Sequence, residues 1–104
     1  MKAIIEGKRY NTETAVKLGE ASNGLSYSDF SHWEEALYVT SKGAYFTAGG
    51  GGPMTKYATA AHGGGTGGSV GIFPLTQAEA FEWAQEHMSV KEVMAAFGSL
   101  VEEA

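Results

Sequence analysis

"EEALYVTSKGAYFTAG", residues 34–49, carries the clearest periodic signal in the chain. Leu37 and Val39 alternate with Tyr38 and Thr40, and Ala44, Phe46 and Ala48 alternate with Tyr45 and Thr47. Successive side chains of a strand point to opposite faces, so the stretch predicts two antiparallel strands joined at Ser41-Lys42-Gly43. The rest of the chain must then pack on a small sheet.

Upstream, "KAIIEGKRYN" (2–11) predicts two shorter strands about a Gly7-Lys8 turn. "NTETAVKLGEASNG" (11–24) predicts a helix capped by Asn11 or Thr12, with Glu13 in its first turn. Ala15, Val16 and Leu18 form its thin apolar face, Gly19 weakens it, and Asn23-Gly24 ends it. "LSYSDFSHW" (25–33) reads as a packed loop.

Downstream, Pro53 opens one or two helical turns in "PMTKYATAA", and "VGIFPLT" (70–76) returns as a strand. Pro74 confines that strand to an edge or an end. Thr76-x-x-Glu79 and Ser89-x-x-Glu92 are capping boxes that open two helices. In the last helix Val90, Val93, Met94, Phe97, Leu100 and Val101 form an amphipathic stripe that must pack on something. In the preceding one Phe81, Ala84 and Met88 share a face. Trp83 points about 160° from Phe81, either beneath the last helix or toward a partner. The sum is one α+β domain over residues 1–104, with a small, mostly antiparallel sheet, two C-terminal helices and a glycine-rich loop.

The composition agrees: 104 residues, 43% apolar and 18% charged, suit one globular core. The chain has no cysteine, which excludes disulfides, thiolate zinc sites, iron–sulfur clusters and cysteine nucleophiles. The start "MKAIIEGKRY" breaks at Glu6, too early for a signal-peptide core, and no apolar run reaches a membrane span. A cytoplasmic protein without membrane contact is expected.

The charge is unevenly placed. Residues 1–76 hold six acids and six bases, whereas residues 77–104 hold Glu79, Glu82, Glu86, Glu92, Glu102 and Glu103 against Lys91, so this tail carries the whole net −5. Clustered Lys or Arg, which direct nucleic-acid binding requires, is missing. A basic protein surface is the better electrostatic match for those six glutamates, with Trp83 as a candidate contact. The plainer reading is a solvated face that keeps the protein soluble.

Ten of the fifteen glycines lie between Gly49 and Gly71. No glycine stands just before Lys56, as a Walker A loop requires, and the Gly63, Gly65, Gly68 spacing leads into a strand rather than a long helix, so neither phosphate fingerprint applies. A weaker anion site remains: Gly49, Gly50, Gly51 and Gly52 ahead of a helix start, with Thr55, Lys56 and Tyr57 beside it. Such a site would take a small anion or nucleotide, although the glycines are more simply explained by tight turns and close backbone passage.

His32, His62 and His87 show no metal-ligand spacing, and no metal or cofactor is expected. Asp29, Ser31 and His32 hold the residue types of a hydrolase triad. Real triads are assembled from separate segments, and Asp29 and Ser31 better suit a turn. A small hydrolase would need His32 or His62 to meet carboxylates in a cleft. Glu34 and Glu35 alternate across strand faces, so one faces inward near an aromatic. Tyr10, Tyr27, Tyr38, Tyr45 and Tyr57 serve either an interface or packing on a thin sheet.

In order, "GKRYNTETA", "SNG", "DF", "EEALYVTSKGAYFTAG", "GGPMTKYA" and "FPLTQAEAFEWAQEH" resemble a group of short proteins of bacterial mobile elements and phages, mostly without an assigned activity. Members of the group carry an acidic residue in the first glycine run, where this chain has Gly50. They also carry charged residues ahead of the I-x-P-L-T strand, where it has Val70 and Gly71, which makes the present loop more neutral. The resemblance implies, by association, an anti-CRISPR type of protein. Its activity would be non-catalytic inhibition of a host nucleic-acid-handling defence complex, a protein or nucleoprotein with a basic surface.

Overall fold

The computed structural model describes residues 1–26, 28–57, 59–60, 66–67 and 69–104. The expected hairpin is its centre: β4 (Trp33–Val39) pairs antiparallel with β5 (Tyr45–Gly51), Leu37 opposite Thr47 and Tyr38 opposite Phe46. Gly43 makes the turn possible, with φ +83° and its N–H bonded to the Thr40 carbonyl. β3 (Val16–Ser22) and β8 (Ser69–Leu75) flank the pair, giving the sheet order β3-β4-β5-β8, so the proline-bearing strand is an edge as expected. A short ladder joins β6 (Thr59–Ala60) to β7 (Thr66–Gly67).

Each face of the sheet is covered by a different element. The β1 (Lys2–Ile5) and β2 (Lys8–Asn11) hairpin lies on one, where Tyr10, Phe46 and Ala48 are buried with Tyr38, Ala44 and Ile72 packed around them. Phe46 stacks on Tyr38 at 5.1 Å and meets Tyr10 edge-on at 5.4 Å. The hairpin turns at Glu6-Gly7, one residue earlier than the sequence suggests. Both residues have positive φ, 51° and 78°, which matches the strand twist.

Helices α1 (Gln77–His87) and α2 (Val90–Phe97) cover the other face, burying Leu37, Ala80, Trp83, Ala84 and Phe97. Both capping boxes form: Thr76 Oγ1 and Ser89 Oγ accept from the N–H three residues on, and Glu79 and Glu92 accept back from the cap. Thr76→Ala is expected to cost about 1 kcal/mol, read as a lower urea midpoint at unchanged slope. The result is an α+β domain, and no helix among the described residues is long and apolar enough to cross a membrane.

Two expected helices are not there. Residues 11–15 make a single turn, with the Ala15 N–H on the Asn11 carbonyl and the Glu13 N–H on Asn11 Oδ1, and the chain then extends as β3. The capping signal was real, but tertiary packing overrides weak helix propensity: Leu18 and Ala21 join the core under the helices, and Gly19 lies against Met88. Residues 53–57 form turns, not a helix, held by Thr55 N–H and Oγ1 on the Gly52 carbonyl. The C-terminal stripe is only half buried. Phe97 is inside, whereas Val90, Met94, Leu100 and Val101 are exposed. The α-helix stops at Phe97, and a 3-10 turn over Gly98–Leu100 carries the last two off its line.

Candidate functional site

Strand parity places Trp33, Glu35 and Leu37 on the helix-covered face of β4, so a carboxylate enters the core beside leucine. The Glu35 side chain is 5% exposed and is met from two other elements. From α1, Trp83 Nε1–H donates to Oε1 at 2.7 Å. From the turn after β5, the Tyr57 hydroxyl donates to Oε2 at 2.5 Å and Lys56 Nζ approaches the same oxygen at 2.8 Å. Across the sheet from Glu35 stands Gly49, and Gly71 stands beside that on β8. The Tyr57 ring lies alongside Gly71, and Lys56 Nζ stands 5.0 Å from the Phe73 ring centre.

Burial alone would push the Glu35 carboxyl up. Hydrogen bonds from Lys56, Tyr57 and Trp83 together with the Lys56 charge outweigh it and hold the group below the usual carboxylate range. Tyr57 is driven strongly the other way, by burial first and then by its bond to the Glu35 anion. The pair is a fixed carboxylate and a neutral phenol at physiological pH.

Glu35, Lys56 and Tyr57 of this cluster line an open pocket of about 470 Å³ together with Asn23, Ser31, Trp33, Met54, Thr55 and His87. The His87 ring lies 4.9 Å from Trp83 and 5.6 Å from Trp33, an aromatic lining drawn from β4 and the end of α1.

Among the residues expected to hold an anion, Thr55, Lys56 and Tyr57 do line this pocket. The glycines do not form a cradle. Gly49, Gly50 and Gly51 are paired to β4 on one side and β8 on the other, and the Gly52 N–H is bonded to the His32 carbonyl. Their backbone groups serve the ladder. Small size is what matters there, since a β-carbon on Gly49 would stand 2.6 Å from Glu35 Cα and one on Gly52 would meet the Phe30 carbonyl.

Among the residues expected to meet a partner, Glu82, Glu86, Glu102 and Glu103 are exposed. Glu79 and Glu92 are exposed too but hold helix starts. Of the two alternatives for Trp83 the structure takes packing: the ring is buried in the core with its N–H turned to Glu35, so it is not an exposed partner contact. Asp29 accepts from the Ser31 N–H, and His32 Nδ1–H donates to the Leu25 carbonyl at 2.6 Å, so the adjacent triad types are engaged in turns. Tyr10 and Tyr57 are buried, and Tyr38 and Tyr45 stack on Phe46 and Phe97. His62, Tyr27 and the Gly63, Gly65, Gly68 spacing lie outside the described residues. Among the described residues, no three His, Cys, Asp or Glu side chains converge as metal ligands.

A second concavity, of about 530 Å³, runs between the helices. Its lining is Phe81 and Gln85 of α1, Met88 just past its end, Val90, Val93 and Met94 of α2, and Leu100, Val101 and Glu102. It shares no lining residue with the first. Comparison of the chain with protein-family models, with curated proteins and with solved structures finds no match in any of the three.

Proposed function

We propose that the protein is a non-catalytic binding protein that occupies a basic, amphipathic segment of a partner with its C-terminal helices. The observation that carries this reading is the coincidence of exposed apolar side chains with the acidic part of the chain. Val90, at 81% exposed, Met94, Leu100 and Val101 surround the groove between α1 and α2. Glu82 and Glu86 follow its lining residues Phe81 and Gln85 by one position, on the next ridge of α1. An apolar strip bordered by carboxylates complements a helix with one apolar and one lysine- or arginine-rich face.

Proteins that handle nucleic acids display such basic surfaces to engage phosphates, so the reading extends to a mobile-element inhibitor of the anti-CRISPR type, which competes with nucleic acid for its target. Binding to a purified RNA-guided nuclease complex, followed by calorimetry, tests it. Glu82→Lys with Glu86→Lys is expected to weaken association at least about tenfold, and Met94→Asp by a similar factor, with the loss from the glutamates shrinking at high salt. Undiminished affinity in both variants rejects the reading.

A further inference from the structure

The pocket over Glu35 has an unusual balance of hydrogen-bonding capacity. The carboxylate is its strongest acceptor, and its two oxygens already take bonds from Trp83, Tyr57 and Lys56. What remains around the mouth is donor capacity. Lys56 is half exposed and has ammonium protons beyond the one turned to Glu35. Among the described residues the Ser31 hydroxyl donates to the Met54 sulfur, a long contact of 3.9 Å, and Asn23 uses one amide proton on the Ser31 carbonyl. A ligand satisfying these groups must bring acceptors, and the lysine favours a negative one.

The walls set the rest of its shape. Trp33 is half-buried, braced edge-on by His87, and Met54 is 71% exposed beside it. A flat ring fits against an indole held in that way, and methionine adapts to its edge. The volume of about 470 Å³ suits a small molecule. Lys56 is already paired with Glu35, so a bound monoanion leaves the cluster with one excess negative charge and a dianion with two, which favours the singly charged ligand of the two. We propose that this pocket binds a small planar aromatic carboxylate, its ring against Trp33 and its carboxylate on Lys56 and Ser31. This site is independent of the groove between the helices, and the two readings stand or fall separately.

Calorimetric titration of the full chain with sodium benzoate tests it, with benzamide as the uncharged isostere. A saturable isotherm with Kd of about 1 mM or tighter is expected, with benzamide at least about tenfold weaker. Trp33→Leu and Lys56→Met should each weaken benzoate at least about fivefold. Lys56→Met also strips the counter-ion from Glu35, so NMR of the unaltered chain supplies the second readout. Benzoate must move the Trp33 indole N–H resonance. Absence of saturable heat, equal binding of benzamide, or shifts confined to resonances away from Trp33 would overturn the assignment.

Discussion

Glu35→Ala is expected to destabilise the domain by about 4 kcal/mol at pH 7, measured by urea denaturation. Lys56 can turn to water when the carboxylate is lost, but the Tyr57 hydroxyl and the Trp83 N–H cannot. Both lie in buried side chains whose described bond is to Glu35, and an orphaned buried donor costs about 1–3 kcal/mol. The lost volume adds a cavity term. Glu35→Gln separates charge from shape. Its amide supplies one acceptor oxygen and sets its own donors against one of the three that Glu35 satisfied, so a smaller loss is expected.

The same pair of variants distinguishes the pH dependence. The Glu35 carboxyl lies below its ordinary value in the folded chain, so the unfolded chain binds the proton first as pH falls. The stabilisation is complete above about pH 4.3, the unfolded value, and is lost as pH falls through the folded value. Glu35→Gln should flatten that acid limb. Tyr57, shifted upward, stabilises fully below about pH 10 and loses its contribution above it. An acid limb unchanged by Glu35→Gln would show that other carboxylates set it.

Gly49→Ala is expected to cost more than about 3 kcal/mol, or to prevent folding. The added carbon would press on the Glu34 carbonyl and come within 2.6 Å of Glu35 Cα, in the adjoining strand. Ordinary overpacking costs about 1–3 kcal/mol because side chains give way, whereas here the obstacle is the backbone of a ladder paired on both sides. Gly71→Ala is the control. Its nearest neighbours, the Phe73 and Tyr57 rings, would be 3.8 Å from the new carbon, an ordinary contact. Its melting temperature should stay close to that of the parent, and a Gly49→Ala protein that melted there too would show the two strands to be farther apart.

These two experiments bear on what could be read beforehand. The hairpin, the proline edge and both C-terminal helices were legible because each rests on a local signal: alternation in 34–49, the missing donor of Pro74, and reciprocal capping at Thr76 and Ser89. β3 was not. Its start signal is shared by a helix and by a single turn, and what favours the strand is pairing with β4 and the packing of Leu18 and Ala21 beneath distant helices. The glycine run misled for a related reason. Four glycines before a proline suggest an open loop, yet three of them continue β5, with β4 and Thr55 leaving no room for a β-carbon at Gly49 and Gly51.

The carboxylate at the centre was half visible. Parity puts Glu35 on the same side as Leu37 and therefore inward, and Lys56 and Tyr57 are among the residues the sequence offers to an anion. That these meet Glu35, and that Trp83 joins them from α1, depends on how the layers stack, which no spacing records.

Pro74 has a consequence beyond its own strand. Of the two rims of the four-stranded sheet, the one formed by β8 lacks a donor at its proline, so an incoming chain could not zip along it without a gap. The other rim, β3, is kinked where its register slips between Lys17 and Gly19. Both rims of this sheet therefore interrupt the continuous backbone ladder that the stacking of further chains would require.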